Sequence, residues 1–431
     1  MTGRLGVLGD ARFRRFWIGE SVSLVGSEVT LLALPLTAVV ILHAAPEQMG
    51  LLTAVHLLPF LLAGLPAGVL VDRMSRRRVL VAGDLIDAIA VGVVPIAAIA
   101  GFLGMPVLYV LNFIIGLVDV FGAVAWQAFI PSIVGRDRLV EANARLEVSS
   151  SVASIVGPGL GGVLVQLLTA PVALVVDALS YLFSAAMVWT VRAEEPIKPR
   201  GPDAPSVRAQ LVDGLRAVVG RAPLRNLMLG GSIHNFFSRM IDALFVLYAV
   251  SSLDLSPAGI GLVFAAAGPG ALLGAVAVGT VNRFLGVGPA LIVLQVVTGI
   301  SRLLIPVAGI ASVAALGGGS GTPVVLAASS FLLGLARTAF NVTQVSLRVA
   351  ITPDELLGRM NASIRFLMWS VTPFGAVAGG LLAASAFGIT ATMWLAGAGV
   401  LVAFVPFLAP SLRTIRTIDE MAAGGEGSGA S

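Results

Sequence analysis

Twelve apolar runs, each about 20–25 residues long, leave this chain few ways to fold. As helix, a run of that length crosses roughly 30 Å of hydrocarbon. The runs fall near 16–41, 49–71, 79–101, 107–130, 143–168, 171–190, 224–250, 257–280, 289–311, 323–345, 361–385 and 389–410. Strands of a membrane barrel would alternate at period two in pieces of about ten residues, and these runs do not. Composition agrees. Of 431 residues, 57% are hydrophobic and 12% charged, about half the charge of an average soluble domain. Polar surface is too scarce to cover a globule, so the solvent must be largely lipid. The expected fold is an all-α integral membrane protein with twelve transmembrane helices.

The loops give a direction. Arg73, Arg76, Arg77, Arg78, Arg136, Arg138, Arg192, Lys198, Arg283, Arg359 and Arg413 all fall in one alternate set of loops and ends. The other set (42–48, 102–106, 169–170, 251–256, 312–322 and 386–388) holds no Lys or Arg. The positive-inside rule then places both termini in the cytoplasm, and the Gly- and Ala-rich composition suits the cytoplasmic membrane of a bacterium. The basic net charge reports topology and contact with anionic lipid, and no nucleic-acid partner is expected. Arg12, Arg14 and Arg15 precede a first run too long for a signal-peptide core, so that run is expected to stay as a membrane helix. Cysteine is absent, and His43, His56 and His234 lack ligand-like spacing; neither disulfide nor metal site is expected.

The two halves repeat. Arg14, Gly19, Ser21 and Ser27 align with Arg225, Gly230, Ser232 and Ser238 without a gap. Pro59, Gly64, Asp72 and Arg73 align with Pro269, Gly274, Asn282 and Arg283, and Gly116, Asn143, Gly161 and Gly162 with Gly334, Asn361, Gly379 and Gly380. Two six-helix bundles in parallel orientation are therefore expected, related by pseudo-symmetry. Residues 1–190 form the first and 224–411 the second. Between them, 191–223 reads as a Pro-rich linker followed by a short amphipathic helix through Val207, Leu211, Leu215 and Val218. Residues 412–431 read as a flexible tail.

Two motifs carry a family resemblance. "GVLVDRMSRRRVL" resembles the loop signature between the second and third helices of the major facilitator superfamily, through Gly68, Asp72, Arg73, Arg76 and Arg77, with Ser75 where the family has Gly. "GPGLGG" is similar to its fifth-helix antiporter signature, through Gly157, Pro158, Gly161 and Gly162. "SLVGSEVTLLALPL", "IPSIVGRDRLVEANARL" and "VDALSYLFSA" resemble one bacterial subgroup, the macrolide-efflux and enterobactin-exporter type of transporter. The resemblance implies an exporter that rocks its two halves about a central site. It implies a cytoplasmic latch built on Asp72 and the neighbouring arginines. The antiporter signature implies export rather than import.

Charges inside a span cost about 2.5–3.5 kcal/mol each on insertion scales, so those present are candidates for function. Glu28 stands mid-way along the first span with no base in its own helix, which suits a carboxyl that binds and releases a proton. Asp84 and Asp87 share a face of the third span, and Asp119 stands in the fourth. Glu28, Asp119, Asp87 and Asp242 are the proton-coupling candidates, Glu28 first. Arg239 and Asp242 share a face of the seventh span and invite a local pair; Arg302 and Arg337 lie in the ninth and tenth. Asp119 and Arg337 occupy equivalent repeat positions, and the resemblance implies that their helices face each other across the cavity. It also implies an acid at the position of Ser27, one residue before Glu28. Ser23, Trp126, Gln127, His234, Asn235, Phe236, Asn341, Gln344 and Trp369 stand on helices that line the cavity in this fold, and together suit an amphiphilic molecule.

Small residues repeat every four positions on the fifth span: Ser149, Ala153, Gly157 and Gly161 form one row, and Ser150, Ser154, Pro158 and Gly162 the next. Such rows let helix backbones approach in lipid, and Pro158 invites a bend. The functional expectation is proton-coupled export of a small amphiphilic compound such as a drug, antibiotic or siderophore-like product. The proton gradient would be the driving force, with no cofactor, and the chain would act as a monomer. An importer of a polar solute on the same fold is the alternative, and a membrane-embedded lipid-modifying enzyme a more distant one. No phosphate-cradling Gly-rich loop with Lys-Ser/Thr occurs, which argues against an ATP-driven pump.

Overall fold

The computed structural model describes residues 6–193, 215–216, 218–310, 321–352 and 354–417. Among them are twelve helices long and apolar enough to cross a membrane, and no strand. The first half holds α1 (Ala11–Leu36), α2 (Pro46–Val71), α3 (Arg76–Ala100), α4 (Met105–Val134), α5 (Leu139–Leu168) and α6 (Ala170–Trp189). The second holds α7 (Ala222–Ser251), α8 (Pro257–Ala265), α9 (Ala267–Leu285), α10 (Val287–Ala308), α11 (Gly321–Ala350), α12 (Asp354–Ser370), α13 (Thr372–Ala384) and α14 (Gly388–Val402). Several helices begin two to five residues before the apolar runs that announce them, because their first turns lie in polar sequence. Asp10 caps α1 by accepting a hydrogen bond from the Arg12 amide at 2.8 Å. Ser75 caps α3 from an extended backbone, so the position where the resemblance has Gly is a helix cap here.

The helix pairings repeat. In the first half α1 packs on α5 and α6, α3 on α4 and α6, and α2 on α4. In the second, α7 packs on α13 and α14, α10 on α11 and α14, and α9 on α11. Equivalent positions fill equivalent cores. Phe16, Val81 and Phe129 are buried together in the first half, and Leu227, Leu291 and Leu347, their repeat mates, in the second. Phe16 and Phe129 meet edge to face at 5.6 Å. Gly116 and Gly334 explain the tight α2–α4 and α9–α11 pairs. A Cβ at Gly116 would strike the His56 carbonyl, and one at Gly334 the Ala267 carbonyl.

The halves differ at their prolines. The α2 helix runs unbroken through Pro59 and Pro66, whereas its counterpart divides at Ala266 into α8 and α9. The α5 helix is continuous through Pro158, whereas its counterpart is interrupted at Val371, two residues before Pro373. The interruption in the second repeat fits the way a proline disfavours helix in the residues just before it.

By internal contacts the chain divides into two units. One comprises Met1–Ala204 with Asp254–Ala265, the other Pro205–Leu253 with Ala266–Ser431. Relative to a division at the linker, α8 has joined the first unit, where it packs on α5. The amphipathic helix expected in the linker, apart from its last residues, and the expected tail beyond 417 lie outside the described residues.

Candidate functional site

In the first unit, four helices turn polar faces toward one cavity of about 370 Å³. Glu20, Ser23 and Ser27 on α1 are three and four apart, so one helix face carries all three. Asp84 and Asp87 on α3 do the same, as do Asp119, Trp126 and Gln127 on α4; Tyr181 of α6 completes the lining. The Ser27 hydroxyl donates to the Ser23 carbonyl at 3.0 Å and lies 3.0 Å from the Tyr181 hydroxyl, so the tyrosine is left to donate to the serine. Asp87 is 4% exposed, and its Oδ1 is buried without a hydrogen-bond partner among the described residues. Asp119 Oδ2 lies 3.5 Å from His56 Nε2 of α2. The α2–α4 approach at Gly116, one turn away, sets that pairing. Glu20 is an electrostatic neighbour of Asp84, with the Trp126 indole beside it.

Behind this wall sits Asp177 of α6. It is fully buried, takes a hydrogen bond from the Ser180 hydroxyl at 3.0 Å, and lies in the electrostatic field of Asp87. The site is thus strongly acidic. Among the described residues, however, no three His, Asp or Glu side chains are arranged to hold a metal ion.

The second unit carries the opposite charge. Asp242 of α7 is clamped by two guanidiniums, Arg302 Nη2 at 2.9 Å and Arg239 Nη1 at 3.3 Å. The local Arg239–Asp242 pair is present, and Arg302, 8% exposed, is its stronger member. Arg337 makes no ion pair among the described residues and lies in the field of Asp242, Arg239 and Arg302. His234 is tied at Nδ1 to Gln295 at 3.2 Å, and Asn235 donates to the Met368 carbonyl of α12 at 2.7 Å. Phe236 stacks edge to face on Phe237. Gln344 is buried beside the Met368 sulfur, Trp369 stacks with Arg365, and Asn341 is exposed.

Several expected residues therefore meet and others do not. Ser23, Trp126, Gln127, Asp87 and Asp119 line one cavity. Glu28 does not. It lies against Gly157 of α5, where a Cβ would collide with the Glu28 side chain, and it makes no hydrogen bond or ion pair among the described residues. The one-residue offset from Ser27 turns a helical side chain by about 100°, so Ser27 takes the cavity position and Glu28 the α1–α5 seam. Asp119 finds His56 of its own bundle as a partner. Glu20, His56, Asp177 and Tyr181 were not singled out by sequence. Glu20 had a readable signal, standing three and seven residues before Ser23 and Ser27; His56 had none, since only the α2–α4 approach brings it to Asp119.

The glycine rows of α5 each serve a different neighbour. Ser149 bonds Ser21 of α1 at 2.8 Å, Gly157 meets Glu28, and Gly161 lies where a Cβ would come within 3.1 Å of the Val29 Cα. The adjacent row faces α8: a Cβ at Gly162 would lie 2.6 Å from the Pro257 carbonyl. In the loop before α3, Asp72 meets Arg76 at 3.7 Å. Arg77 instead donates to the Val191 carbonyl at 3.1 Å, and a Cβ at Gly68 would meet nothing within 4 Å. Arg73 is exposed.

A twelve-span chain of two repeated six-helix bundles, with this loop before its third helix, is a membrane transporter of the major facilitator class, and not an enzyme. More narrowly, it belongs to the transmembrane secretion effector family, whose profile it matches over residues 2–424. It is 23% identical over 418 residues to macrolide efflux protein A of Streptococcus pyogenes, covering 95% of this chain and 97% of that protein. It is 28% identical over 346 residues to the multidrug efflux pump Tap of Mycolicibacterium fortuitum, covering 78% and 80%. Among solved structures it superposes on a bacterial homologue of the iron transporter ferroportin with a TM-score of 0.70, at 19% identity over 93% of this chain and 98% of that one. At that identity the likeness speaks for the fold alone.

Proposed function

We propose that this protein exports a small amphiphilic compound by proton antiport and alternating access, with the α1/α3/α4/α6 cavity as the place where substrate and proton compete. The observation that carries the reading is Asp87, a buried carboxyl with an unpartnered oxygen, in a cavity it shares with Glu20, Asp84 and Asp119. Acids that share one cavity favour a compensating cation there. His56 answers Asp119 alone; for the other acids a basic group on a substrate and a proton both meet that need. Trp126 and Tyr181 give the cavity aromatic surface for the apolar part of such a molecule. Among the described residues no three acidic or histidine side chains are grouped to hold a metal ion, which favours an organic cation over a bare metal ion. Efflux relatives at 23% and 28% identity support the outward direction. The proton gradient supplies the drive, and no cofactor is called for. The cytoplasmic placement of both termini follows from the arginine-bearing loops.

The test is a pH-gradient transport assay in proteoliposomes with a panel of basic, neutral and acidic amphiphiles. Basic compounds should release protons on binding, and Asp87→Asn should abolish that release while the protein still folds. A neutral or acidic substrate transported equally well by Asp87→Asn would sink the reading.

A further inference from the structure

A second cavity, of about 680 Å³, opens at the end of the first unit where α1 and α3 begin and α6 ends. Its lining is Arg12, Arg15, Arg77, Arg192, Trp189 and Thr190. Among the described residues its charged wall is four guanidiniums and no carboxylate; Arg12 at one edge also holds Asp10 at 2.9 Å. The basic wall is also ordered in part. Arg77 donates to the Trp189 and Val191 carbonyls and stacks 5.6 Å from the centre of the Trp189 ring. The carbonyl end of a helix repels anions. Here a fixed guanidinium covers that end of α6, so the cavity is positive up to its floor. Neither Arg15 nor Arg192 has an ion-pair partner among the described residues, and both are exposed. Trp189 is 62% exposed, at the last residue of a membrane span, the depth at which indoles settle among lipid headgroups.

Arginine forks match phosphate oxygens bidentately, and basic pockets between spans at the membrane surface suit acidic headgroups. We infer that this cavity is a binding site for the phosphate headgroup of an anionic phospholipid, with Arg15 and Arg192 gripping the phosphate and Arg12 and Arg77 forming the back wall. Trp189 would lie along the glycerol and upper acyl region. A wall of this positive charge favours a headgroup carrying two phosphates over one carrying a single phosphate. The inference does not depend on what the protein transports, nor on which side its termini face.

The experiment titrates the purified full chain in neutral detergent with cardiolipin, phosphatidylglycerol, phosphatidylcholine and inorganic phosphate, reading bound lipid by native mass spectrometry. Cardiolipin should bind tightest and phosphatidylcholine weakest. Removing both exposed arginines, Arg15→Gln with Arg192→Gln, should weaken cardiolipin about 30-fold, and Arg15→Gln alone about 5-fold. The single variant keeps the test decisive if the double one folds poorly. Arg136→Gln with Arg138→Gln, an equal charge loss on the exposed loop before α5, should leave cardiolipin binding unchanged. Equal weakening by that control pair would overturn the site in favour of diffuse surface charge. Full displacement of cardiolipin by an equal concentration of inorganic phosphate would overturn the lipid assignment, and wild-type binding no tighter than to phosphatidylcholine would overturn both.

Discussion

The two bundles share their packing and invert their charge. Phe16, Val81 and Phe129 fill one core as Leu227, Leu291 and Leu347 fill the other. Yet the repeat that carries Ser27 onto Ser238 carries Glu28 onto Arg239, and the one that carries Gly116 onto Gly334 carries Asp119 onto Arg337. The acidic bundle leaves Asp87 Oδ1 buried and unpartnered, while the basic one closes Asp242 between two arginines. Packing positions and charged positions have thus been under different demands. Apolar size and small residues at crossings decide whether a bundle forms in lipid. Once it has formed, a charge that does not fix the packing is free to change sign, whether it faces a cavity as Asp119 does or a seam as Glu28 does. The bundle with the open charge is the better candidate for binding, and the one with the closed charge for support.

The shared packing makes the largest prediction. Gly116→Leu and Gly334→Leu each drive a side chain into a facing backbone carbonyl, which rotamer changes cannot relieve. Overpacking already costs about 1–3 kcal/mol where side chains can shift, so both variants should fail to give a monodisperse peak in fluorescence-detected size exclusion. Failure of one and survival of the other would mean that the two crossings are not equivalent.

The inverted charge makes the next. Arg302→Gln strips Asp242 of its 2.9 Å partner and leaves Arg239 at 3.3 Å. Breaking a buried pair costs about 3–5 kcal/mol, and the loss should sit at or below the low end, since the Asp242 side chain is 32% exposed. Asp87→Asn removes a carboxyl that no described residue pairs, and should leave thermal stability unchanged or raise it by up to about 1 kcal/mol. Thermal unfolding in detergent compares the two directly. If Asp87→Asn were the more destabilising, the contrast between open and closed charge would be lost.

Much of this was legible in the sequence for a physical reason. Spans, repeats and small-residue rows are periodic, and period survives folding: the Ser149 to Gly161 row does meet α1, and Gly162 does meet its own close neighbour. Rotation about a helix was less legible. Glu28 was the leading proton candidate as the mid-span acid, but one residue of offset puts Ser27 on the cavity and Glu28 on Gly157. Partners from other helices were not legible at all. His56 reaches Asp119 only because α2 and α4 nearly touch, and Arg302 joins Asp242 across about sixty residues of chain that carry no mark of it.

The smallest prediction tests whether the inversion extends to the helix starts. The α1 helix begins with an acidic cap, Asp10 on the Arg12 amide, while α7 begins after Arg221 with no side-chain cap and a proline in its first turn. The hydrogen bond from the Arg12 side chain holds the Asp10 carboxyl below its ordinary range. Its contribution to α1 is therefore complete above the unfolded-chain value of roughly 3.9 and is lost as pH falls through the lower folded value. Losing such a cap costs about 0.5–2 kcal/mol, and this exposed one should lie at the low end. Protection factors from hydrogen exchange should fall in the first turn of α1 for Asp10→Ala at neutral pH, and for the wild type on acidification. The first turn of α7 should respond to neither. Equal loss in both turns on acidification would trace the effect to general acid destabilisation and remove the helix starts from the contrast.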